Sequence, residues 1–228
     1  MDPAAGSPAA VLATLGSLAP DIVDAVRTSL AVSAGATLFA ALIGVPLGLF
    51  VGTAEFPLKR AAVTVLNSFM AVPTVVVGLF VYGFISRQGP LGVLGLLFTP
   101  TAIVVGGTLL ASPIVANYAM ASARGADARI VPTALTLGAG RIRTAAALIA
   151  EIRFGILAAV IAGFGRVVSE VGVAMMLGGN IRGYTRTMTT AIALETGKGE
   201  FAFGMALGII LMAVALCVNV VLAVLQRR

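Results

Sequence analysis

The sequence predicts an all-α membrane protein of five transmembrane helices joined by short loops. Three observations predict it. Of its 228 residues, 59% are hydrophobic and 11% charged, less than half the charged share of a soluble domain, about 25%. Five apolar stretches are each long enough to cross roughly 30 Å of hydrocarbon. No polar block is long enough to form a separate soluble domain, so residues 1–228 are expected to form one transmembrane domain.

The chain opens on Met-Asp-Pro with no basic region before its first apolar stretch, which does not match a secretory signal. Residues 9–26 are too short and too acidic to span and read as an interfacial helix. The spans are expected at about 28–52, 61–86, 93–119, 155–177 and 202–224, as helices, because lipid offers backbone N–H and C=O groups no partner. Pro46, Pro73, Pro100 and Pro113 interrupt them, and each removes a helix hydrogen bond. Gly44/Gly48 and Gly204/Gly208 have the four-residue spacing that lets helices approach closely. No internal repeat is visible, so symmetry is expected from dimerisation. Nine basic residues (Lys59, Arg60, Arg124, Arg129, Arg141, Arg143, Arg153, Arg227, Arg228) fall on one side of the five spans. The other side has five: Arg27, Arg87, Arg182, Arg186 and Lys198. That bias places the 120–154 loop and the C-terminus in the cytoplasm and the N-terminus outside.

Several function classes are excluded. His is absent and Cys217 is the sole cysteine. No disulfide forms within the chain, and no Cys/His cluster exists for a metal. Cys217 lies in an apolar run and reads as an inert packed thiol. There is no G-x-x-x-x-G-K-[ST] phosphate loop and no paired carboxylates, so the chain is not expected to be an enzyme or to hold a cofactor. The net charge of +6 follows span ends and has no aromatic-interleaved basic face, which argues against nucleic acid.

Three segments carry candidate function. Arg166 and Glu170 lie four residues apart in the fourth span, on one helix face. A charge at the bilayer centre costs at least about 2.5–3.5 kcal/mol, so the two either lock packing as a buried pair or line a pathway, with Glu170 also able to pair across a dimer. The 120–154 loop alternates Ile130, Leu135, Leu137, Ile142 and Leu148 with Arg129, Arg141 and Arg143. Its Leu137-Gly138-Ala139-Gly140 break suggests a short helix, a turn, and a second helix running into the fourth span. Such a segment either docks in a groove of a partner protein or lies on anionic lipid. The 177–190 loop combines glycines, five hydroxyls, Asn180, Arg182 and Arg186, with no acid before Glu195. That composition suits a passing oxyanion, or a polar turn.

The sequence resembles the membrane subunit of an ATP-binding cassette (ABC) importer. Leu137-Gly138-Ala139 matches the glycine core of that family's cytoplasmic motif, although Pro132-Thr133-Ala134 and Leu148-Ile149-Ala150-Glu151 depart from its flanks. Residues 163–172, Gly-Phe-Gly-Arg-Val-Val-Ser-Glu-Val-Gly, are similar to the F-x-R-x-x-x-E-x-G segment of oxyanion-type permeases. The stretches 151–159, 175–183 and 194–199 resemble the tungstate subfamily. The resemblance implies a type I importer permease: a homodimer of five-helix subunits in the cell (inner) membrane, with two cytoplasmic ATP-binding subunits and an extracytoplasmic solute-binding protein. Tungstate would be the cargo, with molybdate, vanadate or sulfate, or an ATP-independent carrier, as alternatives. It also assigns motor contact to Thr133, Leu137, Gly138 and Arg141, the gate to Arg166 and Glu170, and the outer mouth to Asn180, Arg182 and Arg186. No appended regulatory domain is expected.

Overall fold

The computed structural model describes residues 8–226, and among these there are ten α-helices and no strand. The first helix, α1 (Pro8–Thr53), is 46 residues long and passes through Pro20 and Pro46. The segment expected as a separate interfacial helix over 9–26 is therefore continuous with the first span; residues 1–7 lie outside the described part. The second stretch is broken. Helices α2 (Lys59–Met70) and α3 (Thr74–Ile85) meet at 96° across Ala71-Val72-Pro73. Pro73 lacks the N–H a continuous helix needs and instead stands as the N-cap of α3. The third stretch begins later than expected. A single 3₁₀ turn covers Gly92–Leu94, and α4 runs Pro100–Gly125. Pro100 starts this helix rather than interrupting it, beside Thr99 Oγ1, which accepts a hydrogen bond from Ala102 N at 3.3 Å.

The expected 35-residue loop is shortened by α4 and holds α5 (Ile130–Thr136) and α6 (Arg141–Glu151). The second of these does not run straight on: at Ile152 the chain bends 76° into α7 (Arg153–Val168). A further break precedes α8 (Gly172–Gly178), so the expected 155–177 span is two helices. After α9 (Met188–Gly197), α10 (Phe201–Gln226) completes the chain. Three helices are long and apolar enough to cross a membrane, and five spans result if each bent pair counts once.

The core is built on small residues. Helices α1 and α4 run parallel, with Gly44, Gly48 and Gly52 set against Ser112–Val115, Ala116–Met120 and Met120–Ala123. A Cβ at Gly48 would stand 2.8 Å from that of Ala119 and would press on the Ala116 carbonyl. Helix α7 runs antiparallel to α4, with Gly163 beside Ala111 and Val115, and Val167 beside Gly107. Ala36, Ala40, Ala111, Val115, Ala159 and Val167 bury the seam. This is how membrane helices attract one another: lipid is as apolar as leucine, so close backbone approach supplies the dispersion energy. Gly48→Ala is expected to lower the midpoint of thermal unfolding in detergent, by about 1–3 kcal/mol of overpacking. An unchanged midpoint would show that the two helices separate freely. The Gly204/Gly208 pair behaves differently. Gly208 faces open space and Gly204 meets only Thr196 and Ile192, so no spanning helix seats there within the described chain.

Large apolar side chains point outward: Leu38, Phe39 and Leu42 on α1, Phe80 and Phe84 on α3, Ile209, Met212 and Leu216 on α10. Water would penalise such a surface, whereas hydrocarbon does not. Cys217, expected to be packed, is exposed on α10 among them.

Candidate translocation gate and coupling loop

At the end of α7 the helix stops at Val168, and Glu170 stands in the break before α8. The pair read as sharing one helix face is therefore formed across a discontinuity. Arg166 Nη1 donates to Glu170 Oε2 at 2.6 Å, and Glu170 Oε1 accepts from Val173 N at 3.3 Å. The carboxylate so ties the end of α7 to the first turn of α8, where its charge meets the helix dipole favourably. Glu170 is 7% exposed and Arg166 34%. An ion buried to that degree is stable only when paired and hydrogen-bonded.

Two hydroxyls of α1 that the sequence does not single out, Ser29 and Ser33, meet the loop threonines Thr187 and Thr189 beside Glu170. Thr189 Oγ1 donates to the Glu170 carbonyl at 2.8 Å, and Ser29 Oγ accepts from Met188 N at 2.7 Å. Ser29, Ser33, Thr187, Thr189 and Glu170 line a void of about 10 Å³, room for a single water. The helices therefore meet here with almost no space between them. Ser29 and Ser33 lie one helical turn apart inside an apolar helix, which was the available signal. Thr187 and Thr190 form a reciprocal cap on α9 that holds the threonines inward.

The outer-loop residues do not act as one group. Arg182 pairs bidentately with Asp21 on α1, so an acid remote in sequence neutralises an arginine read as free for anions. Asn180 adopts a left-handed φ of 51° and donates from Nδ2 to the Thr190 carbonyl at 3.3 Å. Its Oδ1 and Arg186 Nε are buried without a partner. Asp21, Arg182, Arg186, Glu195, Lys198 and Glu200 border one recess of about 470 Å³. Asn180 does not line that recess.

At the opposite end of the bundle, α5 ends in a glycine turn. Gly138 N donates to Leu135 O at 3.0 Å and Ala139 N to Ala134 O at 2.9 Å, with Gly138 at φ +78°. This is the Schellman arrangement, in which the residue after the C-cap must be left-handed. The turn presents Leu137 and Ile142, 82% and 86% exposed, with Leu135, Thr133 and Arg143 also exposed beside them. The Arg141 side chain lies outside the described residues. At the foot of α5, Arg129 binds Asp127 and holds its carboxyl below the usual carboxylate range, so the link stays ionised at neutral pH.

No family model matches the chain. A tungstate uptake system permease protein, TupB, of Peptoclostridium acidaminophilum is 38% identical over 96% of this chain and 96% of its own length. The chain belongs to the ABC importer permease family. A second tungstate uptake permease, from Campylobacter jejuni, is 42% identical over 76% of this chain and 72% of its own length. The permease also superposes on a chain of the inward-facing MetNI methionine ABC transporter with a TM-score of 0.76, at 19% identity, covering 92% of this chain and 97% of that one. That likeness establishes the type I importer fold. The permease works with an ATP-binding subunit and a substrate-binding protein. The permease is a multi-pass inner-membrane protein.

Proposed function

We propose that this chain is the membrane subunit of a tungstate importer, working as a homodimer with two ATP-binding subunits and an extracytoplasmic binding protein. The observation that carries the reading is the end-to-end relationship to a tungstate uptake permease. The α5–α6 end faces the cytoplasm, with the N-terminus outside, in keeping with the nine-to-five distribution of basic residues. The whole chain acts as one permease domain and hydrolyses no ATP itself.

Leu137 and Ile142 seat in a groove of the ATP-binding subunit, with Thr133 and Arg141 at the rim and Gly138 holding the turn. From there α6 leads through the Ile152 bend into α7, a rod of about 24 Å whose far end carries Arg166, with Glu170 in the break just beyond it. A tilt imposed at the loop is thereby delivered to the ion pair and the hydroxyls around it. Closed, that point passes nothing larger than water; opening separates α7 and α8 from Ser29, Ser33 and Thr189. Arg182, Arg186 and Asn180 belong to the outer mouth, where Asp21 offsets the charge of Arg182.

The test is uptake by proteoliposomes holding this chain, its ATP-binding subunit and its binding protein. Tungstate accumulation is expected only with ATP on the ATP-binding-subunit side and binding protein on the other. Flux without ATP would overturn the importer reading. ATP-dependent uptake of molybdate, vanadate or sulfate in place of tungstate would overturn only the cargo.

A further inference from the structure

At the coupling-loop end, a cleft of about 860 Å³ opens between the end of α1, the start of α2, the end of α4 and the chain leading to α5. Its lining includes Lys59, Arg60 and Arg124 against Glu55 and Asp127. Both acids are already engaged. Lys59 Nζ donates to Glu55 Oε1 at 2.7 Å, and Asp127 is held by Arg129 at 2.6 Å. The Glu55 carboxyl is lowered chiefly by Lys59, with a smaller contribution from Arg124 across the cleft. Arg60 and Arg124 make no ion pair among the described residues. The neighbouring hydroxyls are spent: Thr53 Oγ1 donates to the Leu49 carbonyl at 2.8 Å and Thr64 Oγ1 to the Arg60 carbonyl at 3.0 Å. The cleft therefore offers two uncommitted guanidiniums from two different helices, beside apolar walls from Val63, Val131 and Leu148.

We propose that this cleft binds a phosphate-class oxyanion between Arg60 and Arg124. Guanidinium forks match tetrahedral oxyanions bidentately, and an anion held by both would tie α2 to α4 next to the coupling helix. The volume far exceeds one tetrahedral ion and suits a headgroup with the start of its acyl chains, and the cleft lies at the end of the spans. Two sources share the chemistry: the phosphate of an anionic phospholipid, or a free oxyanion in the aqueous phase. The site does not depend on which ion is transported, so its failure leaves the importer reading untouched.

Native mass spectrometry of the purified permease with phosphatidylglycerol and phosphatidylethanolamine tests the first source. Equilibrium dialysis of the delipidated protein against radiolabelled inorganic phosphate and tungstate tests the second. Arg60→Gln and Arg124→Gln should each weaken binding roughly fivefold, and together on the order of twentyfold, given the usual attraction of one surface cation to an anionic headgroup. Arg87→Gln, at the other end of the molecule, serves as the control. Loss of retained phosphatidylglycerol alone identifies the lipid; loss of phosphate or tungstate binding alone identifies the free ion. If neither measurement responds to the two arginines, or Arg87→Gln lowers binding equally, the site does not exist. The single variants, each at an exposed position, carry the test should the combined change impair folding.

Discussion

Gly138→Val is expected to reduce ATP-driven uptake by about tenfold or more while leaving the chain inserted in the membrane. The backbone there has φ +78° and no neighbouring atom crowds a Cβ, so the penalty is conformational rather than steric against the rest of the fold. A left-handed L-residue costs roughly 1–2 kcal/mol, more for a β-branched one, and 1.4 kcal/mol is tenfold in population. What is lost is the α5–α6 turn that presents Leu137 and Ile142 together, not the spans. Asparagine tolerates the left-handed region better than other side chains, so Gly138→Asn should keep most of the activity and Gly138→Asp should fall between. Co-purification of the ATP-binding subunit and uptake in proteoliposomes measure both steps. Wild-type values for Gly138→Val in both would remove this turn from the coupling contact.

Glu170→Ala is expected to destabilise the subunit by about 3 kcal/mol, visible as a lowered unfolding midpoint in detergent. Removing one partner of a buried ion pair typically costs about 3–5 kcal/mol because the other charge is left uncompensated. The partial exposure of Arg166 places this case at the low end. The Val173 N–H also loses its acceptor. Replacing both residues, as Arg166→Leu with Glu170→Gln, should restore at least half of the lost stability, since no bare charge remains and the Gln oxygen can still cap α8. Uptake then separates two roles. If the double variant is stable and transports normally, the pair only fastens α7 to α8. If it is stable and does not transport, the pair belongs to the gate, which is the expected outcome.

The candidate gate and loop were unequally legible. Gly138 was visible because a glycine flanked by apolar residues between two amphipathic stretches signals a turn, and its left-handed backbone fits that signal. Arg166 and Glu170 were visible because charged residues stand out in an apolar helix. Their geometry was not: spacing by four implies one helix face, and periodicity carries no mark of the break that puts Glu170 beyond the end of α7. Ser29 and Ser33 were passed over because isolated hydroxyls are common in spans and satisfy themselves on their own backbone; Thr189 was legible only as one of the five hydroxyls of the 177–190 loop, since nothing local places it beside Glu170. The Asp21–Arg182 pair joins residues 161 positions apart, beyond any local pattern.

By itself the sequence determined the solvent, the helical class, the count of apolar stretches and the position of the glycine turn at Gly138. Each follows from local quantities: hydropathy summed over a window, glycine's freedom at positive φ, and the price of an unpaired backbone group in lipid. Only the tertiary structure decided where the spans bend, which hydroxyls close around Glu170, that Arg182 is already neutralised, and that Arg60 and Arg124 converge on one cleft. Those depend on which helix faces meet, and the meeting is governed by small-residue packing between α1, α4 and α7, an energy set by pairs of surfaces that no single segment encodes.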